Sequence, residues 1–555
     1  MQFNSRWLSD GIADSYKEWY NKEDARTKTK YVFSTPSLVL IKSPTGTGKT
    51  TFILNTLVPY AAEKGRNILY LSNRSALSEQ LKLAAKEHYF EVRPKIVNGI
   101  DEFEYNDFGN RILIMNYQAL GKYNIKYLKS LNPYYVIFDE AHFFVEDSLF
   151  NKKTFSYFKK TLTSFPNSAL IFMTATPENF NMIFDECVPK AINTHKFPDL
   201  YDLISYKNII KYENTYSVAN HKVIAYCEKN EILFKIRQSP KGQKWLIFVN
   251  SKKDGKEFLD KIHWFTNKTA QLLTADNKKS SAWNMLIQKN KFKSDVLIVT
   301  RVIDNGINIH DPKLKHIVLP FCTETDFKQM LGRRRTTDNE IVHIYVEDIS
   351  IQKINSKFNQ VRISLNILNN IDYINSLTPE LQKDQTEIFK NTLARGKRKS
   401  FTNYISVKKN GKLIYNPLAC HKLTCLMDFY STLKQEYKNN PDFYLIHIKQ
   451  WLKYTKSINY IFSDDCDSFI EFLEHFNNIP ICDEDTMYFY NAFQYYYKRH
   501  CVKEFIEDKA TLTKALSIRK GRTQRKSTMN KSLKLLNLPY EIKKENSCWV
   551  LRKTE

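Results

Sequence analysis

Ile41-Lys42-Ser43-Pro44-Thr45-Gly46-Thr47-Gly48-Lys49-Thr50 follows the apolar run Leu38-Val39-Leu40 and opens a segment of helical periodicity. A glycine-bearing loop between strand and helix is a phosphate cradle. Gly46 and Gly48 let the backbone turn tightly and aim N–H groups at phosphate oxygens, and the helix adds the positive end of its dipole. In that cradle Lys49 reaches the β and γ phosphates, the Thr50 hydroxyl ligates Mg2+, and Thr45 and Thr47 line the nucleotide. Ser43 stands where the pattern usually has its first glycine, and its small size preserves the turn. A nucleoside triphosphate with magnesium is the predicted ligand.

A second uncharged run, Tyr134-Tyr135-Val136-Ile137-Phe138, has the β-branched and aromatic character of a strand buried on both faces of a parallel sheet. It ends in Asp139-Glu140-Ala141-His142. Two carboxylates thus stand at the carboxyl end of a central strand, the edge at which open α/β sheets bind ligands. Asp139 is placed to hold magnesium, and Glu140 to accept a proton from an attacking water and orient it. Alone, such a pair also fits a helix N-terminus; the upstream loop makes the catalytic reading the stronger one.

The chain resembles the superfamily 2 helicases of the DExH type, in family order through about its first 350 residues. Asn67-Ile68-Leu69-Tyr70-Leu71-Ser72-Asn73-Arg74 looks like motif Ia, and Arg111-Ile112-Leu113-Ile114-Met115-Asn116-Tyr117-Gln118-Ala119-Leu120 like the Ib region. Leu170-Ile171-Phe172-Met173-Thr174-Ala175-Thr176-Pro177 matches motif III, and Trp245-Leu246-Ile247-Phe248-Val249-Asn250-Ser251 motif IV. Val296-Leu297-Ile298-Val299-Thr300, continuing to Asp304-Asn305-Gly306-Ile307-Asn308, resembles motif V, and Gln329-Met330-Leu331-Gly332-Arg333-Arg334-Arg335 motif VI. The resemblance implies two tandem RecA-like domains of doubly wound parallel sheet that close over ATP. Arg333 and Arg335 are then candidates for stabilising the transferred phosphoryl group, with Gln329 bridging to the nucleotide or its water network. His142, Thr174 and Thr176 would couple hydrolysis to domain movement. Thr300 and Arg74 would touch nucleic-acid phosphates, and Asp304 and Gly306 would face the nucleotide. In three places the pattern departs from the family. Thr336 occupies the position of a second motif VI arginine, Asn308 ends motif V where aspartate is common, and Gln2 is the only glutamine upstream of the phosphate loop. The choice between Arg333 and Arg335 therefore stays open, and ATP preference is implied by the family.

The chain has 555 residues and a formal net charge of +25, so the length allows about three domains and the charge predicts a polyanionic partner. Nucleic acid is that partner, bound through backbone phosphates largely without regard to sequence. Tyr and Phe number 33 and 36, and some could stack on bases, although an AT-rich genome imposes the same bias. Nine scattered cysteines suggest free thiols, and neither a signal segment nor a membrane-spanning run is evident, so a cytoplasmic location is expected. Cys420-His421 with Cys425 lacks the second pair of a zinc site.

Along the chain we expect an N-terminal preface over 1–30 and RecA-like domain 1 over 31–194, then a linker over 195–217 and RecA-like domain 2 over 218–348. A mainly helical region follows over 349–509, then a basic module over 510–555. That last stretch carries twelve Lys or Arg against three Glu, among them Arg519, Lys520, Arg522, Arg525 and Lys526. A helix near Thr528–Leu536 and two short strands after Tyr540 read as a winged-helix DNA-binding module, with a disordered basic tail the alternative. Two functions fit. One is an ATP-driven DNA helicase or translocase, as in replication of a phage or mobile element; the motor joined to a basic module loosely resembles viral origin-binding helicases. The other is a nucleic-acid-stimulated ATPase that remodels or senses, as in antiviral defence, without processive unwinding. DNA is favoured over RNA because of the tail, replication or defence proteins are possible partners, and the oligomeric state is open.

Overall fold

The computed structural model describes residues 2–12, 36–72, 95–97, 100–104, 110–118, 125–180, 208–216, 221–226, 229–277, 280–300, 308–334, 340–394, 403–407, 412–437, 440, 442–461, 466, 468–482, 486–505, 508–518 and 525–554. Its frame is two sheets, each with seven parallel strands. The first contains β1 (Gln2–Phe3), β2 (Ser37–Lys42), β3 (Ile68–Ser72), β4 (Lys95–Val97), β5 (Ile100–Glu104), β6 (Arg111–Asn116), β7 (Tyr135–Phe138), β8 (Ala169–Thr174) and β9 (Asn208–Asn214). Their order is β1-β9-β2-β8-β7-β3-β6-β5-β4, with β5 and β4 antiparallel at one edge. The uncharged runs form its centre because helices cover both faces and period-two alternation sorts the side chains. Leu38, Leu40, Val136, Phe138, Leu170 and Phe172 enter one core, while Val39, Ile41, Tyr135, Ile137, Ile171 and Met173 enter the other. The helix after the phosphate loop, α1 (residues 49–63), packs into the second of these cores. Its middle turn, Ile53–Leu57, widens to a π-helix. Beyond β7 come α2 (Phe143–Glu146) and α3 (Thr154–Ser164), which pack into the first core.

The stretch expected to link the domains is partly sheet. β9 pairs with β2 over its whole length, and the N-terminal β1 pairs with β9. Lys211 and Glu213 break the apolar run there, so no buried-strand signal is visible; Glu213 is instead taken up by Lys42, 2.8 Å away on β2.

The second sheet contains β10 (His221–Tyr226), β11 (Lys244–Phe248), β12 (Ala270–Leu273), β13 (Val296–Val299), β14 (Leu314–Leu319) and β15 (Val342–Glu347). Its seventh strand, Asn459–Tyr460, comes from far downstream and pairs with β10. Around this sheet lie α4 (Lys229–Gln238), α5 (Lys252–Phe265), α6 (Ser281–Lys289) and α7 (Glu324–Leu331). Thr323 caps α7 by accepting the Asp326 N–H, which fixes the start of the helix that carries Gln329.

The C-terminal region is mainly helical, as expected. It comprises α8 (Ile351–Ser376), α9 (Pro379–Ala394), α10 (Pro417–Glu436), α11 (Phe443–Leu452), α12 (Phe469–His475), α13 (Thr486–Glu504), α14 (Lys509–Ser517) and α15 (Arg525–Leu535). Its described residues share the core of the second sheet: one continuous apolar cluster runs from Val223 of β10 to Leu551 near the C-terminus. The last strands, Tyr540–Glu545 and Cys548–Lys553, form a hairpin whose turn residues Asn546 and Ser547 both have positive φ, 45° and 70°. A third strand, Pro480–Ile481, pairs with the second of them, so this sheet begins upstream of 510. α15 packs against the first strand of this hairpin, where Asn530 donates its Nδ2 hydrogen to the Ile542 carbonyl and accepts the Ile542 N–H at Oδ1. The expectation of scattered free thiols is corrected here: Cys482 and Cys548 form a disulfide across 66 residues, because the strand pairing sets them side by side. Cys420, His421 and Cys425 share α10, with Cys425 Sγ 3.7 Å from His421 Nε2, and no metal cluster occurs among the described residues. No described helix is long and apolar enough to cross a membrane.

Candidate active site

Domain 1 supplies one wall of a cleft. The phosphate loop turns through Gly46 and Gly48 at φ 86° and 77°, conformations that side chains resist, and Gly48 caps α1. The loop is braced from within. Ser43 Oγ lies 2.6 Å from Thr47 Oγ1, which donates to the Pro44 carbonyl at 2.8 Å, and Lys49 Nζ donates to the Ser43 and Pro44 carbonyls at 3.0 and 3.2 Å. Ser43 thus does more than stand in for glycine. Its hydroxyl ties the loop shut and accepts from Asn214 Nδ2 at 3.3 Å.

At the end of β7, Asp139 is almost wholly buried. Tyr70 donates to its Oδ2 at 2.6 Å, the Glu140 N–H to its Oδ1 at 3.0 Å, and Tyr117 to its carbonyl at 2.7 Å. Burial, with Glu140 beside it, raises the Asp139 pKa to about 6, while Tyr70, Lys49 and the Glu140 N–H pull it back. Both tyrosines stay protonated because burial and the Asp139 charge raise their pKa values, so both remain donors. Glu140 occupies the left-handed region at φ 52°, a strained setting for a non-glycine residue. His142 is buried, and burial lowers its pKa, so it is neutral; Oε2 of Glu140 lies 3.5 Å from its Nδ1. That nitrogen also meets Thr174 Oγ1 at 3.0 Å, and Thr174 Oγ1 accepts the Thr176 N–H at 3.0 Å. Nε2 of His142 is buried without a hydrogen-bond partner.

Domain 2 closes the other wall. Gln329 Nε2 donates to Thr176 Oγ1 at 3.3 Å, and Lys328 Nζ lies 3.0 Å from Glu178. Gly332 faces the phosphate loop so closely that a Cβ there would lie 2.4 Å from Thr45 Oγ1 and 2.7 Å from Thr45 Cβ. Arg333 is buried, its Nε donates to the Gln329 carbonyl at 2.9 Å, and its charge lowers the His142 pKa after burial has done so. Arg334, which the sequence reading passed over, points away. It pairs with Glu340 at 2.6 Å and donates to the Leu314 carbonyl.

The donor set suits a magnesium-bound triphosphate: an ammonium over a glycine turn, a hydroxyl at Thr50, a buried carboxylate held by donors, and an unpartnered imidazole nitrogen. Lys49, Asp139, Glu140, His142, Thr174, Thr176, Gln329 and Arg333 are brought to one cleft, and Thr50 follows Lys49 in the first turn of α1. Thr300 lies half-buried at the end of β13, its N–H donating to Leu273. Arg525 stacks over Tyr490 and Lys526 is exposed. Arg74, Asp304, Gly306, Arg335, Arg519, Lys520 and Arg522 lie outside the described residues.

One neighbour escaped the sequence reading. Trp7, 45% exposed, leans over Gly48, where a Cβ would come within 3.0 Å of its ring, and Arg6 sits over the same indole. The Leu8 N–H bonds the Thr47 carbonyl at 2.9 Å, pinning this segment to the loop. The sequence marks Trp7 only as one of several N-terminal aromatics. A cavity of ≈ 260 Å³ opens at the carboxyl edge of the second sheet, lined by Tyr226, Lys229, Asn250, Asp254, Lys353 and Lys357 among others.

Residues 14–179 match the family model of the type III restriction enzyme res subunit, and residues 228–335 that of the helicase conserved C-terminal domain. No curated protein matches the chain. Similar solved structures include S. cerevisiae Dbp5 bound to RNA and ADP BeF3, at 15% identity and TM-score 0.41, covering 63% of this chain and 92% of that one. A variant of the same protein with the same ligands gives 14% identity, TM-score 0.40 and coverage of 56% and 79%.

Proposed function

We propose that the chain is an ATP-hydrolysing helicase of superfamily 2, a DExH-type motor that uses ATP to move along or unwind DNA. The observation that carries the reading is the meeting of Gln329 and Gly332 with Thr176 and Thr45 across one cleft. Lys49 binds the β and γ phosphates, and Thr50 and Asp139 hold magnesium, which when bound screens phosphate charge. Glu140 takes a proton from the attacking water, and Arg333, with Arg335 the other candidate, stabilises charge on the transferred phosphoryl group. Gln329, anchored on Thr176, aligns the water network, and His142 with Thr174 passes the state of the cleft to the motif III strand. Trp7 offers its face to the base. Asp304 and Gly306 complete the nucleotide side, while Thr300 and Arg74 contact the strand.

DNA is the favoured track. A net charge of +25 and a hairpin-and-helix module exposing Lys526, Lys531, Lys534, Lys543 and Lys544 support that choice. Arg519, Lys520, Arg522 and Arg525 extend the same basic segment. Replication of a phage or mobile element, in a cytoplasmic setting, is the role that this combination suits. An ATPase titration with single-stranded DNA, duplex DNA and RNA, beside unwinding of a forked duplex, is the test. Stimulation by DNA with fork opening supports the proposal. Stimulation by RNA alone overturns the DNA assignment, and triplex displacement without fork opening makes the protein a remodeller.

A further inference from the structure

Domain 2 and the C-terminal region form one body. They share a core, the strand Asn459–Tyr460 extends the second sheet, the Tyr444 hydroxyl accepts the Cys322 N–H and donates to its carbonyl, and Lys498 is buried against Asp348 at 2.8 Å. Among the described residues, Leu418 is the only member of this region within the cores of domain 1. It belongs to the first turn of α10, and that end of the helix crosses from one body to the other.

The crossing is polar and specific. Asn416 caps α10 by accepting the Leu418 N–H, while its Nδ2 donates to Thr154 Oγ1 at 2.7 Å and the Asn151 carbonyl at 3.1 Å. One turn on, His421 Nε2 meets the Asn179 carbonyl at 2.9 Å, and Lys422 Nζ lies 2.6 Å from Glu146 Oε2. The other oxygen of Glu146 accepts from Asn179 Nδ2 at 2.9 Å. Lys422 and Glu146 are only 6% and 11% exposed. An ion pair so enclosed adds little stability over an apolar substitute, and its value lies in fixing one arrangement.

What it fixes is the back of the catalytic wall. Glu146 ends α2, the helix that begins directly after His142, and Asn179 follows the Thr174-Ala175-Thr176-Pro177 loop. A single ammonium on the C-terminal region therefore ties down both segments that carry the acid pair and its relay.

We propose that Lys422 is a positioning residue for ATP hydrolysis: through Glu146 and Asn179 it keeps Glu140 and His142 in register with Gln329 and Arg333. The C-terminal region thereby sets turnover without touching nucleotide. The inference rests on the reading of Glu140 as the group that activates water.

The test is steady-state ATPase of full-length Lys422→Met, Lys422→Arg and Glu146→Gln at saturating poly(dT), with melting temperatures. A shift of the wall by part of an ångström should lower kcat about tenfold in Lys422→Met, with KM for ATP within about threefold of wild type. Lys422→Arg, which keeps the charge, should recover most of the loss. Glu146→Gln, which keeps shape and an acceptor for Asn179, should lower kcat in the same way, and it carries the test if Lys422→Met melts early. Wild-type kcat in both Lys422→Met and Glu146→Gln overturns the proposal, as does a loss that follows melting temperature alone or is shared fully by Lys422→Arg. Glu140→Gln reports separately: wild-type turnover in that variant removes the underlying reading, whatever the Lys422 variants do.

Discussion

The two parallel sheets are alike in strand number and unlike in what they are built against. Domain 1 packs two cores on the two faces of its sheet and holds its chemical groups by short local bonds, as Tyr70 and Tyr117 hold Asp139. Domain 2 merges its core with the C-terminal helices, and its contribution to the cleft comes from one capped helix and the turn after it, Gln329 to Arg333. On the proposed reading the first domain sets up the nucleotide chemistry, and the second shares its core with the described C-terminal helices.

The sharpest way to break that contrast is to remove chemistry from one wall at a time. Lys49→Ala and Glu140→Gln on the domain 1 wall should each lower turnover by roughly a thousandfold, with ATP binding retained only in the second. Equal loss of binding in both, read by nucleotide titration, would deny the separate roles. Arg333→Ala on the other wall should lower turnover by roughly a hundredfold and leave nucleotide affinity nearly intact, since the proposal assigns phosphate binding to domain 1. A variant weak in binding but normal in turnover would reverse the assignment.

A smaller effect tests how domain 1 stores its chemistry. Because burial, with Glu140 beside it, raises the Asp139 pKa from 3.8 to about 6, ionisation of the folded chain opposes folding at neutral pH. Stability from this group is present below 3.8 and lost as pH rises through about 6. Asp139→Asn should therefore stabilise the magnesium-free protein at pH 8 by about 3 kcal/mol while abolishing turnover, with the gain fading towards pH 4. Melting curves across that range decide it; a constant gain at all pH values would point to packing. The smallest effect belongs to the far end of the chain. Replacing Lys526, Lys531 and Lys534 by alanine should weaken DNA binding about tenfold and reduce the salt slope by up to about 3. Substitution is the better probe than truncation, because Met529, Leu533, Ile542 and Leu551 belong to the shared core.

What could be read from the sequence followed from local physics. An uncharged run must be a buried strand, and glycines before Lys49 must be a turn, so the centres of both sheets and most cleft residues were legible. What failed depended on distance or on interrupted patterns. β9 hides behind Lys211 and Glu213, which pair or point outward instead of breaking the strand. The partners Asn416–Thr154 and Lys422–Glu146 are 262 and 276 residues apart, and no periodicity reports such a meeting. Trp7 reaches Gly48 only because β1 joins the sheet beside β9. The disulfide likewise needs the pairing of Pro480–Ile481 with the last strand before its cysteines have reason to meet.

The closing of the two walls can be tested at one atom. A Cβ on Gly332 would lie 2.7 Å from Thr45 Cβ, a contact that rotation of the threonine does not relieve. Gly332→Ala should thus push the walls apart by about an ångström and lower nucleic-acid-stimulated turnover by roughly tenfold to a hundredfold at nearly constant ATP affinity. Adding Thr45→Gly, which removes the obstructing atoms, should restore most of the rate. Full turnover in Gly332→Ala alone, or no recovery in the pair, would contradict a cleft that works by bringing these two surfaces together.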